Sequence, residues 1–312
     1  MSRTIKDFIR NPLLLIATMG HRELLNWMND ETYLKLIYRA TMGKSLDLET
    51  PRRFNEKTQW LKLHDRNPVY TRMVDKYEVK KHVADQIGEK YIIPTLGVWD
   101  KFDDIDFDSL PNQFVLKCTH DSGGLVICKD KRKLDIKAAK KTINKSLKHN
   151  FYWGLREWPY KGVSRRIICE KLISDGASSD LKDYKVFLFN GKAHFIQVDI
   201  DRFTDHHRNF YSLNWEYVPF TTCYPTAPDK QIPKPKQLDE LIEVSEKLAA
   251  SVGNPSFVRI DMYILENTSQ ILFGEMTFYH GAGFEQFYPD EYDLTLGDLI
   301  HLPDFSIAKD EQ

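Results

Sequence analysis

The 312-residue sequence has few cysteines, and none of them forms a Cys-x-x-Cys pair, which removes the usual signature of a thiol-based metal or redox site. Three of the four lie in apolar strand-like runs, where a buried free thiol is the ordinary expectation. Reduced thiols suit a cytoplasmic protein, so we expect that location. The four positions are Cys118, Cys128, Cys169 and Cys223.

The sequence also lacks an apolar run long enough to span a membrane. The longest run near the N-terminus covers residues 13–19, whereas a bilayer requires about 20 apolar residues. Arg3, Lys6 and Arg10 precede this run, but no small-residue cleavage pattern follows it, so we expect no cleaved signal peptide. At most, this segment is expected to make peripheral contact with a membrane.

Neither sign of charge dominates, since 44 basic residues stand against 45 acidic ones and the formal net charge is −1. This balance supplies no whole-molecule field for a polyanion, so we expect no nucleic-acid partner, although a local patch stays compatible with it. The G-x-x-x-x-G-K-[ST] and G-x-G-x-x-G motifs are also missing, which excludes a P-loop and a dinucleotide fingerprint. With 42% hydrophobic residues, the chain can bury a core across two domains or lobes.

Helical and strand-like patterns alternate without a strict βαβ rhythm. Residues 1–68 have apolar residues at helical spacing, and a further helix is predicted over residues 72–87, ended by Gly88. Pro94 places the next strand at a sheet edge or end. The other predicted elements are a helix at 136–147, a strand at 165–173, a hairpin around Asn190-Gly191, a helix near 238–252 and a strand pair at 257–264 and 271–279. The pattern predicts an α+β protein with mostly antiparallel sheets.

The last predicted hairpin brings acidic residues together. Alternation along FVRIDMYI puts Arg259 and Asp261 on one face, and along ILFGEMTFY it puts Glu275 and Thr277 on one face. The loop LENTSQ is centred between residues 267 and 268, so residues whose numbers add up to about 535 lie opposite each other. Asp261 and Glu275 therefore face each other within one residue of register.

Two carboxylates opposite each other destabilise a sheet unless something offsets their repulsion. A divalent cation between them is the simplest remedy, and carboxylate oxygens completed by water and phosphate suit Mg²⁺. A protonated carboxyl or a solvated acidic pair at a sheet edge is the alternative.

The segment 114–130, FVLKCTHDSGGLVICKD, reads as a hairpin with one lysine inside its first strand. Lys117 projects from the face opposite to Phe114, Leu116 and Cys118, just before a turn rich in small residues. Glycines let a backbone approach a phosphate closely, and a lysine adds a point charge. Taken alone, the segment favours a structural Gly-Gly hairpin, with a lysine whose head reaches solvent, over a nucleotide-binding loop.

The order of these features resembles the ATP-grasp ligases: a strand lysine, a small Gly/Ser loop, an E-K-L-I strand, a basic residue, R-x-D and E-x-(Asn-like). The resemblance covers roughly residues 70–290 and implies the ATP-grasp fold, in which two α+β lobes grip ATP. It implies ATP contacts from Lys117, a phosphate loop and an adenine hinge, with Lys76 as a further contact. The loop is Asp121, Ser122, Gly123 and Gly124, and the hinge is Glu170, Lys171 and Leu172.

The same resemblance implies roles at the reacting groups. Lys185 corresponds to the family's basic residue at the γ-phosphate or acyl phosphate, and Arg259 to the arginine on the reacting carbonyl. Asp261 and Glu275 correspond to the Mg²⁺ ligands. Thr277 stands where the family usually has Asn; a hydroxyl still ligates Mg²⁺, but this departure puts the third ligand in question.

The cluster VDIDRFTDHHR follows the Asn-Gly hairpin and is expected to line the acceptor site. Arg202 is expected to contact an anionic substrate there, with a structural ion pair as the alternative. His206 and His207 are adjacent, but no third ligand at a recognisable spacing supports a metal site.

The resemblance divides the chain into four segments. Residues 1–68 form a helical N-terminal region, and residues 69–112 supply a helix and a strand that lead into the ATP-grasp core. Residues 113–172 form the lid lobe with the phosphate loop. Residues 173–312 form the C-terminal lobe with the Mg²⁺ site.

Within the superfamily, the segments FNEKTQWLKLHDRNP, FVLKCTHDSGG and FIQVDIDR look like the TupA-like ATP-grasp proteins of teichuronopeptide and other surface-polysaccharide pathways. This likeness implies an ATP- and Mg²⁺-dependent ligase that joins an amine substrate to a carboxylate on a small-molecule or lipid-linked saccharide. Two alternatives stay open. The D-x-D at Asp199 and Asp201 is compatible with a sugar-nucleotide-dependent glycosyltransferase, and a non-catalytic ATP-binding module would lack the metal carboxylates.

Overall fold

The computed structural model describes residues 14–174, 181–201 and 204–303. The described helices are α1 (Leu14–His21), α2 (Asp30–Met42), α3 (Phe54–His64), α4 (Val69–Val74), α5 (Glu78–Ile87), α6 (Ile136–Leu147), α7 (Tyr152–Leu155), α8 (Leu238–Ser251) and α9 (Glu291–Asp298). Short 3-10 helices lie at Glu89–Tyr91, Phe102–Asp104, Lys131–Lys133, Trp158–Gly162 and His280–Gly283. No helix in these ranges has the length and apolar character to cross a membrane.

Ten described strands form two antiparallel sheets. They are β1 (Thr95–Trp99), β2 (Phe114–Cys118), β3 (Leu125–Cys128), β4 (Ile167–Lys171), β5 (Asp183–Phe189), β6 (Lys192–Ile200), β7 (His207–Ser212), β8 (Tyr217–Val218), β9 (Phe257–Leu265) and β10 (Gln270–Thr277). One sheet has the order β1-β4-β2-β3 and the other β10-β9-β5-β6-β7-β8. The α+β class predicted from the sequence is confirmed.

The chain forms two helices where one was predicted over residues 72–87. Helix α4 ends at Val74 and α5 begins at Glu78, because the Asp75 carboxylate accepts hydrogen bonds from the backbone N–H groups of Tyr77 (2.8 Å) and Glu78 (3.2 Å). Such a side-chain cap competes with continued helix. The break leaves the Lys76 N–H free to donate to the Thr119 carbonyl at 3.0 Å, beside the β2–β3 turn.

The four-stranded sheet follows the alternation seen in the sequence. Phe114, Leu116 and Cys118 are buried against α6, where Ala139 and Ile143 form the inner face. Strand β1 lies at the sheet edge, as Pro94 predicted. This leaves the opposite face of β2, which bears Lys117, directed away from the core.

The six-stranded sheet is the larger of the two sheets. Its β5–β6 turn has positive φ at Asn190 (50°) and Gly191 (81°), the conformation that makes Asn-Gly a hairpin signal. Helix α8 packs one face of the sheet, with Leu241 and Leu248 fully buried. Polar residues at alternate positions therefore gather on the other face.

Candidate active site

The β9–β10 hairpin places Glu275 directly opposite Asp261. From the loop to Phe273 and Met262 the strands keep the symmetric register, and a bulge then inserts Gly274. A Cβ on Gly274 would lie 3.0 Å from the backbone oxygen of Asp261, so this position favours glycine. The bulge turns the expected near-pairing of the two carboxylates into a direct one.

Arg259 contacts three oxygen atoms that the sequence predicted as metal ligands. Its Nη2 lies 2.7 Å from Asp261 Oδ2, 3.2 Å from Thr277 Oγ1 and 3.4 Å from Glu275 Oε1. Its Nε donates to Asp261 Oδ1 at 2.6 Å. One cationic nitrogen thus occupies the point on which these oxygens converge.

The positions of these three oxygens show whether the residues fit Mg²⁺. Asp261, Glu275 and Thr277 present two carboxylates and a hydroxyl to one cationic centre, and hard oxygen donors are the ligands Mg²⁺ prefers. Within the described ranges no cluster of three or more His, Cys, Asp or Glu side chains has metal-binding geometry. The donor set therefore fits a cation that takes its remaining ligands from phosphate and water.

Lys185 is the second buried cation on this face. Its Nζ contacts Asp183, and it lies 3.0 Å from Asp261 Oδ2 and 3.7 Å from Asp199 Oδ2. Burial acts to lower the pKa of Lys185, but the carboxylates of Asp183 and Asp261 outweigh it and raise the pKa above its ordinary value. The lysine stays protonated beside the metal-site carboxylate.

Arg208 and Glu285 extend the charged face away from the hairpin. Arg208 Nε donates to Asp199 Oδ1 at 3.0 Å, and its Nη1 lies 3.3 Å from Glu285 Oε2. Burial tends to raise the pKa of Glu285, but His280 and Arg208 hold that pKa well below its usual range. Glu285 is therefore a carboxylate in a buried setting.

His280 connects this group back to the hairpin. Its Nε2 lies 3.2 Å from Glu285 Oε2, and its Nδ1 lies 2.7 Å from Arg259 Nη1. These contacts close a ring of seven side chains. The ring runs through Arg259, Asp261, Lys185, Asp199, Arg208, Glu285 and His280.

The four-stranded sheet carries a separate charge cluster. The carboxylate of Glu170 bridges two lysines, with Lys117 Nζ at 2.6 Å from Oε2 and Lys80 Nζ at 2.5 Å from Oε1. Lys80 also donates to the carbonyl of Ile93 at 2.6 Å. Lys117, predicted as a phosphate ligand, is therefore paired with the first residue of the predicted adenine hinge.

The predicted phosphate loop connects β2 and β3. Lys76 Nζ donates to the Asp121 carbonyl at 2.5 Å, so the two predicted ATP-contacting segments meet. Asp121 Oδ1 accepts from the Gly124 N–H at 3.2 Å. Ser122 and Gly123 are exposed, whereas a Cβ on Gly124 would lie 2.5 Å from Cys118 Sγ. The loop has an open tip and a tightly packed base.

The structure brings most of the predicted site residues into two groups, one on each sheet. Lys171 ends β4 beside Glu170, and Leu172 follows it. Arg202 lies outside the described residues. Of the histidines, His120 is buried with Nε2 at 3.3 Å from the Ser146 carbonyl, which fits a hydrogen-bonded loop residue.

Sequence reasoning missed Lys80, Asp183 and Glu285. Lys80 follows Lys76 by four residues in a predicted helix, and Asp183 lies two residues before Lys185 in a predicted strand. The spacing could therefore have indicated both residues. Glu285 carried none, because its contacts with Arg208 and His280 join segments far apart in the chain.

Two antiparallel sheets, with lysines on one and paired carboxylates on the other, agree with the ATP-grasp arrangement that the sequence resemblance implied. The model of the family described as TupA-like ATPgrasp matches residues 56–301, and the chain belongs to this TupA-like ATP-grasp family. Membership makes it an ATP-grasp protein. The family and fold predicted from the sequence are confirmed, and no curated protein sequence matches the chain.

Solved structures resemble the chain at a distance. The D-alanine–D-alanine ligase of Bacillus anthracis complexed with ATP shares 17% identity at a TM-score of 0.39, over 72% of this chain and 55% of that chain. The biotin carboxylase domain of the Hydrogenobacter thermophilus 2-oxoglutarate carboxylase shares 15% at 0.44, over 72% of this chain and 46% of that chain.

The ATP-grasp ligase PsnB, solved with a phosphomimetic variant of its minimal precursor, Mg and ADP, shares 10% identity at a TM-score of 0.43. The match covers 89% of this chain and 71% of PsnB. The chain spans only about half the length of the first two structures. Likenesses this distant carry no statement about the substrates of this chain.

Proposed function

We propose that the chain is an ATP-dependent carboxylate–amine ligase that works through an acyl phosphate. The observation that carries the proposal is the convergence of Asp261, Glu275 and Thr277 oxygens on one cationic centre, with Lys185 at 3.0 Å from Asp261. This arrangement stabilises negative charge on a transferring phosphoryl group. Mg²⁺, when bound, would neutralise the phosphate oxygens and orient them.

The reaction converts a poor electrophile into a good one. A substrate carboxylate oxygen attacks the γ-phosphorus of ATP, the bond to the β-phosphate oxygen breaks, and ADP leaves. An amine then attacks the acyl carbon, loses a proton, and displaces phosphate to leave an amide. In this scheme Lys185 offsets charge on the phosphoryl group, and Arg259 stabilises the oxyanion of the tetrahedral intermediate.

We assign the ATP-binding side of the site to the four-stranded sheet. Lys117 and Lys76 would bind phosphate oxygens under the loop Asp121–Gly124, and the backbone groups of Glu170, Lys171 and Leu172 would bind the base. The meeting of Lys76 with Asp121 supports this assignment, because it links both predicted ATP segments. Lys117 would exchange its Glu170 partner for phosphate.

We propose that the carboxylate is a uronic acid or a similar group on a small-molecule or lipid-linked saccharide. The amine would be an amino acid or an amino sugar, and the setting bacterial surface-polysaccharide biosynthesis in the cytoplasm. Membership of the TupA-like family supports this setting. Arg202, a member of the sequence cluster VDIDRFTDHHR, would contact the anionic substrate.

The glycosyltransferase alternative has little support from the contacts of its acidic pair. Asp199 is held by Arg208 at 3.0 Å, and Asp201 Oδ2 contacts Lys230 Nζ at 3.0 Å. The two carboxylates therefore have separate partners, rather than one shared metal position.

One assay separates the two functions. The purified protein is incubated with Mg-ATP and pooled amino acids and uronic-acid sugars, and ADP release and product mass are followed. A ligase releases ADP only when both a carboxylate and an amine are present, and yields a product lighter than its two substrates by one water. Release of UDP from a sugar nucleotide, without substrate-dependent ADP, would contradict the ligase.

A further inference from the structure

The guanidinium of Arg259 is held along both of its edges. Asp261 binds one edge through Nε and Nη2, at 2.6 and 2.7 Å. His280 Nδ1 contacts Nη1 at 2.7 Å on the other edge. Arg259 is therefore oriented by two residues that belong to different segments, the strand β9 and the loop after β10.

The contact with Arg259 defines the tautomer of His280. An arginine side chain in a protein is always protonated and donates only, so His280 Nδ1 must accept and carries no proton. The imidazole proton then lies on Nε2, which is 3.2 Å from Glu285 Oε2 but is not aligned for a hydrogen bond with it. The contact with Arg259 therefore selects the neutral Nε2–H form.

A cation bound at the hairpin would compete with Arg259 for part of its other hold. The oxygens of Asp261, Glu275 and Thr277 that contact Nη2 are the oxygens proposed for Mg²⁺. Asp261 Oδ2 already contacts both Arg259 and Lys185, so a further cation there would weaken the Nη2 contacts by charge repulsion, while Nε keeps Asp261 Oδ1. The His280 contact, on Nη1, does not involve these oxygens and can persist.

We propose that His280 is the positioning residue that holds the Nη1 edge of Arg259, and so orients the guanidinium toward the reacting carbonyl when the oxygens on its other edge also serve a metal. This inference rests on the ligase reaction proposed for this site. It assigns a role to a residue outside the predicted metal and ATP ligands.

The surroundings of His280 hold its ring in place for this role. Its ring is buried and lies edge-to-face against Phe187, with centroids 4.7 Å apart. The backbone carbonyl of Glu285 accepts from Asn55 Nδ2 at 2.8 Å, and the Glu285 carboxylate is held by Arg208. Both members of the pair are thus fixed from outside the metal site.

Helix α3 anchors the intervening loop. Gln59 Nε2 donates to the Gly283 carbonyl at 2.7 Å, and Lys62 Nζ donates to the Ala282 carbonyl at 2.6 Å. Gly281 and Ala282 have positive φ of 54° and 52°, a costly conformation for alanine that these bonds help to maintain. The loop carrying His280 and Glu285 is therefore tied to the helical N-terminal region.

The spectroscopic test reads the tautomer directly. In protein labelled with ¹⁵N-histidine, the His280 ring signals, assigned by their loss in His280→Asn, should show a protonated Nε2 and an unprotonated Nδ1. The same pattern should persist after Mg²⁺ and a non-hydrolysable ATP analogue are added. A protonated Nδ1 in either state would overturn the inference, whatever reaction the protein catalyses.

The mutational test exploits side-chain geometry. The amide of Asn can put an acceptor near the position of Nδ1, whereas the amide of Gln reaches the position of Nε2. In the pooled-substrate assay, His280→Asn should retain ADP release within a few-fold. His280→Gln and His280→Ala should lower kcat roughly 10- to 100-fold, with KM for ATP unchanged.

The two tests separate failure of the inference from failure of the ligase reaction. If wild-type protein shows no substrate-dependent ADP release, the proposed ligase reaction is wrong. The tautomer measurement then still tests the contact between His280 and Arg259. An active wild type with His280→Gln equal to His280→Asn would sink the positioning role. Binding of a fluorescent ATP analogue with Mg²⁺ confirms that each variant is folded.

Discussion

Lys117 Nζ lies 2.6 Å from Glu170 Oε2, so the proposed phosphate lysine forms an ion pair with the first residue of the proposed hinge. Lys80 binds the other oxygen of the same carboxylate and is less exposed than Lys117. The two lysines thus share one partner but lie at different depths. This difference predicts different effects of removing them.

Lys117→Met should weaken binding of Mg-ATP by about 10- to 100-fold, since a charge-assisted hydrogen bond to phosphate contributes roughly 1.5–3 kcal/mol. Lys80→Met should chiefly lower the free energy of unfolding, because Glu170 and the Ile93 carbonyl both lose a buried donor. Calorimetric titration and urea unfolding measure the two quantities. The reverse assignment of effects would contradict the proposed roles.

The stability of the protein should depend on pH through Glu170. Burial tends to raise the pKa of Glu170, but Lys117 and Lys80 outweigh it and hold the pKa below the ordinary value of 4.5. Such a carboxylate stabilises the fold above its unfolded-state pKa, and the contribution is lost as the pH falls through the folded-state value. Below pH 4.5, wild type should therefore lose stability more steeply than Glu170→Gln.

Urea unfolding at a series of pH values from neutral to acid tests this slope. Glu243→Gln on the exposed face of α8 is the matched control, because its carboxylate is 64% exposed and, among the described residues, pairs with Lys247 on the same helix. Its pH dependence should match that of wild type. Parallel curves for wild type and Glu170→Gln would show that the buried carboxylate has no such linkage.

Glu275→Gln should abolish ATP turnover while leaving the fold intact. The substitution keeps the size of the side chain but removes the charge proposed to bind Mg²⁺, and a loss on the order of 100-fold or more in ADP release is expected. The Glu275 side chain is 40% exposed, so the free energy of unfolding should change by less than about 1 kcal/mol. Retained turnover would remove Glu275 from the metal site.

Two neighbouring glycines give a matched pair in the phosphate loop. A Cβ on Gly124 would lie 2.5 Å from Cys118 Sγ and 2.7 Å from Ser146 Oγ, whereas on Gly123 the nearest atom is Asp121 Oδ2 at 3.6 Å. Gly124→Ala should therefore displace the base of the loop, with a cost of about 1–3 kcal/mol in stability and weaker Mg-ATP binding.

Gly123→Ala should keep the stability of wild type, so any loss of ATP affinity in that variant reports on contact with the nucleotide. Thermal unfolding and titration with a fluorescent ATP analogue give both quantities. Equal effects of the two substitutions on stability would contradict the tight packing at Gly124.

Local periodicity was enough to predict the strands of the site and the side-chain faces of Lys117 and Asp261. The period of two residues and the Asn-Gly turn act over short distances, so one sequence reveals them. The helix break at Asp75 was missed because a side-chain cap overrides an apolar repeat that runs through it.

The contacts among His280, Glu285 and Arg208 could not be predicted from the sequence, for a different reason. They join a loop after β10 to strand β7, and no spacing rule connects segments so far apart. The pairing of Lys80 with Glu170 has the same origin, since its partners come from α5 and β4. The family resemblance supplied the ligand roles, but not this network of partners.

Because β10 contains the extra residue Gly274, the hairpin should tolerate the loss of one residue better than the gain of one. Had the strands kept the register of their loop half, Gly274 would oppose Asp261, and Glu275 would oppose Ile260 on the apolar face. Loss of Gly274 would restore a regular ladder and leave Glu275 across from Asp261. A residue inserted after Gly274 would move Glu275 opposite Ile260, so Asp261 would no longer face a carboxylate. Related chains should therefore tolerate a deletion at this position but not an insertion.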